Sequence, residues 1–207
     1  MTISYPLSIP TYPNASGVER LAWTNFNAVA LLRSPYTFQT QVQEHSGQLW
    51  AADVDIAVST DRRKIEPWIV FLSSLMGPKG TFLMGDPSAK TPMGSAAGSP
   101  QVNLAGQTGN TLNTKGWTAS QANVLIAGDY IQIGNRLYKV LANASSNGSG
   151  LATLDIWPRL RESPPNNTPI VTSNAKGLFR IADSEVRTQE VDRERVYSVS
   201  FSMVEAI

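Results

Sequence analysis

The chain has no cysteine among its 207 residues and a single histidine, His45. The first absence excludes disulfides, thiolate metal sites and a cysteine nucleophile, and it fits synthesis in a reducing cytoplasm. The second leaves a Ser-His-Asp triad only one route, through His45, and gives a zinc site too few ligands. Charge is also scarce. Charged residues make up 16% of the chain and sum to a formal +1, against roughly 25% in ordinary soluble domains. Near-neutrality supplies no attraction to nucleic acid or to an acidic membrane. Depletion of charge suits a surface that meets neighbouring subunits. No apolar run approaches the ~20 residues of a membrane helix. The opening MTISYPLSIPTYP lacks the basic start and apolar core of a signal peptide. The sequons at Asn14 and Asn143 are therefore read as incidental, and no D-x-D-x-D-G run offers a calcium loop. No catalytic, cofactor-binding or metal-binding residue is expected.

What is present is mostly strand patterning. Pro6, Pro10 and Pro13 mark residues 1–17 as an extended arm. It lies on its own domain or reaches a neighbouring subunit. Residues 36–58 read as a hairpin with Ser46-Gly47 as its turn and His45 just before it. Trp50, Ala52, Val54 and Ile56 fall on one face at period two, facing a core. Asp53 and Asp55 share the opposite face. They are a candidate acid/base pair, but a solvated strand face accounts for them more simply. Ile65, Trp68, Ile69, Leu72, Leu75 and Met76 form one helical stripe. With Pro67 confined to a first turn, a helix is predicted near 65–76, stopped by Gly77-Pro78. Phe71 lies off the stripe and must touch something else. Residues 80–87, GTFLMGDP, read as a short strand, and the small, proline-rich residues 87–100 as a linker.

Residues 101–160 then carry a string of short strands with turn signals at close intervals, the pattern of a small barrel or sandwich. NASSNGSG, residues 143–150, reads as a flexible hairpin tip. GLFRIAD, residues 177–183, suggests another strand. The mixed-charge residues 184–196 suit a solvated face or salt bridges between copies of the chain. At the end, Tyr197, Val199, Phe201 and Met203 alternate with three serines, which predicts a strand with one buried apolar face. Its expected partner is the strand region of residues 36–58. The fold class is thus mainly β with one helix. Residues 1–94 and 173–207 form a discontinuous β-sandwich or split-barrel domain, and residues 95–172 form an inserted barrel-like β-domain that is expected to fold alone.

AGDYIQIGNRLYKV, residues 127–140, contains glycines that could suggest a phosphate loop. A phosphate loop needs a helix N-terminus, however, and here Gly134-Asn135 sits between two strand patterns. A two-residue hairpin turn with positive φ is the expectation. Asp129, just before the strand, is expected to cap a turn.

Taken in order, GQLWAADVDI, EPWIVFLSSLMGPKG, TFLMGDP, GW, AGDYIQIGNRLYKV, GLATLDIWPRLR and KGLFRIAD resemble the distal tail proteins, or minor tail proteins, of long-tailed bacteriophages. The resemblance covers most of residues 28–183. It implies a structural virion protein at the tail tip, assembled in the host cytoplasm. It also implies a homo-oligomeric ring, commonly a hexamer, joining the tail tube protein to the tip or baseplate hub. The tape-measure protein and tail fibres are further neighbours. No enzymatic activity, cofactor, membrane or nucleic-acid sequence recognition is implied.

A second reading is a carbohydrate- or receptor-binding module in which Trp117, Tyr130, Tyr138 and Trp157 supply stacking faces. A third is a hydrolase working through His45, but an exposed turn offers little to orient its imidazole.

Overall fold

The computed structural model describes residues 3–184, 190–191 and 196–207. Its elements are, in chain order, β1 (Leu7–Ser8), β2 (Val18–Arg33), β3 (Thr40–Ser59), helix α1 (Arg62–Leu75), a 3-10 turn (Gly77–Lys79), β4 (Phe82–Met84), β5 (Gly98–Val102), β6 (Thr111–Trp117), β7 (Tyr130–Ile133), β8 (Arg136–Val140), β9 (Ala152–Trp157), β10 (Ile170–Val171), β11 (Gly177–Ile181), β12 (Glu190–Val191) and β13 (Tyr197–Glu205). Over the described residues the protein is mainly β with one α-helix and two sheets. The first sheet runs β1-β4-β11-β13-β3-β2, with β12 added beside β13; the second runs β10-β7-β8-β9-β6-β5.

The terminal strand sits where its pattern predicts. Phe201 pairs with Val54 and Met203 with Ala52, so β13 lies between β3 and β11. Val199, Phe201 and Met203 are buried, as are Trp50, Ala52, Val54 and Ile56. Tyr197, expected to be buried with them, is only half-buried, beside a register shift at the start of the strand.

Helix α1 covers this apolar face. Ile65, Trp68, Leu72 and Leu75 are buried, and each buried large side chain contributes roughly 1.5–3 kcal/mol. Phe71 packs edge-on against Phe82 at 5.4 Å between ring centroids. The helix starts at Arg62, three residues before the position that Pro67 suggested, because Asp61 caps it by accepting a hydrogen bond from the Arg63 amide at 2.9 Å. It ends where Met76 turns left-handed, φ 53°, which takes Met76 out of the stripe and leaves it exposed.

Residues 3–17 lie on their own chain, the first of the two expected paths. Leu7 and Ser8 pair in parallel with Phe82 and Leu83. The Tyr5 hydroxyl donates to the Ser74 carbonyl at 2.7 Å, and the Trp68 indole donates to the Ser16 carbonyl at 2.8 Å.

The second sheet curls nearly closed. Between its end strands, Val102 donates to Thr168 at 2.9 Å and Asn167 donates back to Val102 at 3.0 Å. Side chains such as Leu112, Ile131, Leu154 and Ile156 fill the inside. The residues 143–150 expected to be a flexible tip are tied into the barrel instead. Ser146 is buried and hydrogen-bonds around the Thr118–Gln121 turn, and the Asn147 carboxamide oxygen accepts from the Ser149 and Leu151 amides. Of the charged run 184–196, residues 185–189 and 192–195 lie outside the described residues, and Glu190 and Val191 pair with β13 as β12.

Candidate interaction site

The longest elements of the chain form its most exposed surface. The 16 residues of β2 pair with the 20 of β3, but β13 stops pairing with β3 at Ala51. Beyond that point the two strands continue alone as a two-stranded ribbon. Residues 24–47 are exposed throughout except for half-buried Ser34. Ser46-Gly47 has the composition of a turn. The turn is instead at residues 34–39, and Ser46 and Gly47 lie inside β3. There the register slips, with Asn27 opposite Gln48 but Val29 opposite Glu44. Ala28 thus faces the bulged residues 45–47, and a Cβ on Gly47 would stand 3.0 Å from the Ala28 Cβ. Glycine serves here as a bulge residue, not a turn residue.

At the tip, the Ser34 hydroxyl accepts from the Tyr36 and Thr37 amides, and Phe38 takes φ 57°. The Arg33 guanidinium lies 4.8 Å from the Phe38 ring centre. Tyr36 is 92% exposed. Along the ribbon, Leu31 and Val42 pair directly across the strands and are 66% and 62% exposed. They share one face with Val29, while Phe26 and Leu32 lie on the other. Both faces therefore carry apolar side chains in water, and the outer edge of β2 has no partner strand among the described residues.

The residues considered for chemistry do not converge. His45 is exposed on the ribbon within β3, not in a turn. Asp55 pairs with Arg20 at 3.2 Å, and Asp53 accepts from the Ser202 hydroxyl at 2.6 Å. Gly134 and Asn135 form the two-residue turn between β7 and β8, but only Gly134 takes positive φ, 58°. Asp129 does more than cap a turn. Its buried carboxylate accepts from the amides of Met93, Gly94 and Ile126 at 2.7, 3.1 and 2.8 Å, pinning the linker to the barrel. Among the described residues no three His, Asp or Glu side chains gather as a metal site, and no helix is long and apolar enough to cross a membrane.

Trp117, Tyr130, Tyr138 and Trp157 are all buried. Tyr130 and Trp157, with Leu137, point out of the barrel into the core of the first sheet. The Trp157 ring stands perpendicular to that of Trp50, 4.3 Å between centroids. Its indole donates to the Asn27 side chain at 2.9 Å, and the Trp50 indole donates to the Leu137 carbonyl at 3.1 Å. These rings join the two sheets and offer no open stacking face. Against known proteins the chain matches no family model and no curated sequence.

Proposed function

We propose that this protein is a structural subunit of the tail tip of a long-tailed bacteriophage. Copies of it close into a ring, six on the resemblance, that joins the tail tube to the tip hub. The tape-measure protein and tail fibres are further contacts of the assembled tip. The protein works by assembly in the host cytoplasm and catalyses nothing.

The observation that carries this reading is the ribbon of residues 24–47. An isolated two-stranded ribbon is at best marginally stable in water, and this one adds apolar side chains on both faces and an open strand edge. The chain as a whole exposes 11647 Å², against roughly 9,400 Å² for a compact monomer of its mass. The surplus is of the order needed for two contact faces of about 800 Å² each. Two different faces, one meeting the next copy head to tail, are what a closed ring requires. The glycan-binding alternative loses support because its four aromatic rings are buried.

Light scattering on the purified protein, with negative-stain images of the same peak, tests the reading. The expected species is close to six times 22.4 kDa with a central hole. A monomer that also fails to bind tail-tube and hub proteins would overturn it.

A further inference from the structure

A second feature lies away from the ribbon. β1 and β4 run in parallel and separate after Ser8 and Met84. Between the arm and the residues after β4 they leave a groove of about 630 Å³. Thr11, Tyr12, Asp86, Lys90, Asn174 and Lys176 line it. Backbone contacts fix the residues along it. Asn174 donates to the Lys90 carbonyl at 2.6 Å, and Gly85 packs so closely that a Cβ there would stand 2.0 Å from the Ala175 carbonyl oxygen.

The charges in the groove are unbalanced. Lys176 is half-buried, yet neither it nor Lys90 has a carboxylate within ion-pair distance among the described residues. With Lys90 exposed beside it, the lining carries two ammonium groups against one carboxylate, a net positive charge that favours an anion. Asp86 is the one carboxylate on the lining. Its Oδ1 is already engaged by the Ser88 amide and hydroxyl at 2.8 and 2.6 Å, which leaves Oδ2 to accept. Tyr12 presents a ring that is 78% exposed, with the Lys64 ammonium 5.9 Å from its centre, which leaves the opposite face for a ligand. The lining thus combines two unpaired cations, one free carboxylate oxygen, an amide, a hydroxyl and an aromatic face.

We propose that this groove binds a hydroxylated anion of the sugar phosphate or sugar acid class. Lys90 and Lys176 bind the phosphate or carboxylate. Asp86 and Asn174 take the ligand hydroxyls, and Tyr12 covers its apolar face. A simple inorganic anion would leave the Asp86 carboxylate facing like charge. A neutral sugar would leave the lysines unpaired.

Amide chemical shifts of the full chain would be followed at about 10 mM salt, where screening is weak, with glucose 6-phosphate, glucuronate, glucose and inorganic phosphate as separate probes. Glucose 6-phosphate or glucuronate is expected to shift amides in residues 8–12, 86–90 and 174–176. Whichever binds more tightly identifies the anionic group. Glucose is expected to be silent. Lys90→Gln with Lys176→Gln should weaken binding at least tenfold, and Tyr12→Ala should weaken it independently without removing charge. The proposal is overturned if neither sugar anion shifts these amides, if the double lysine variant binds as well as the parent, or if inorganic phosphate binds as tightly as both, which would indicate an adventitious ion only.

Discussion

The Arg161 guanidinium meets the Glu205 carboxylate at two points, Nη2 to Oε2 at 2.6 Å and Nε to Oε1 at 3.3 Å, with both side chains more than nine-tenths buried. Arg161 follows the barrel strand β9, and Glu205 ends the last strand of the first sheet. The same carboxylate accepts from the Trp50 amide at 3.3 Å. One ion pair therefore fastens the barrel to the sheet beside the Trp50–Trp157 contact. Removing one partner leaves an uncompensated buried charge, at about 3–5 kcal/mol. Glu205→Ala should lower the unfolding free energy measured in urea by that amount, whereas Arg161→Met with Glu205→Gln should recover most of the loss. Equal losses in the single and double variants would contradict this account.

Asp129 holds three backbone amides that have no other acceptor within the turn. Each orphaned donor costs roughly 1–3 kcal/mol. Asp129→Ala should therefore destabilise the protein by several kcal/mol in urea melts. Amide exchange should rise first at Met93, Gly94 and Ile126. Unchanged protection at these three amides would remove the pinning role.

How much of this was legible in the sequence depended on how local the signal was. Strand β13 and the Trp50 face could be read because period two marks a strand buried on one side. Strand β2 could not. Its distal half carries apolar residues on both faces and is packed on neither, so no periodicity marks it. Ser46-Gly47 suggested a turn because the same residue types suit turns and bulges alike. The true turn at residues 34–39 has no glycine, and Phe38 takes the left-handed conformation. Arg161 and Glu205 are 44 residues apart, and no local pattern pairs them. The four aromatics of the barrel region gave no sign in sequence that two of them face outward into the other sheet's core.

Two glycines with different surroundings make a paired test of packing. A Cβ at Gly85 would lie 2.0 Å from the Ala175 carbonyl oxygen, a backbone atom that cannot swing away. At Gly148 the nearest atom is the Ser120 hydroxyl at 3.8 Å. Gly85→Ala should cost about 1–3 kcal/mol through overpacking, and Gly148→Ala should stay within about 0.5 kcal/mol of the parent. Thermal melts of the two variants side by side would read the difference, and equal melts would count against the close approach at Gly85.

The Tyr130 phenol is pushed up from 10.0 to about 12, first by burial and second by the negative charge of Asp86. Burial also leads the upward shift of Tyr138. The folded state thus holds these protons more tightly than the unfolded chain does. Their contribution to stability is complete below pH 10 and is lost as pH rises from 10 towards about 12. Urea midpoints should fall across that window, and Tyr130→Phe should flatten the fall. An identical slope in the variant would place the alkaline loss elsewhere, for example in lysine deprotonation.

The ribbon makes the decisive test of assembly, because its role in the fold and its role between copies can be separated. Leu31 and Val42 face each other across the strands and touch no core. Replacing them with Leu31→Lys and Val42→Glu keeps a favourable cross-strand pair while removing the apolar surface. Exposed substitutions of this kind move stability by about 0.5 kcal/mol or less, so the melting temperature should stay near that of the parent. If the ribbon is where copies meet, losing two central apolar residues should remove a large share of the association energy, since a few such residues dominate an interface. Light scattering should then report a folded monomer under conditions where the parent forms a ring. A variant that assembles as the parent does would move the subunit contact off the ribbon and onto the body of the first sheet.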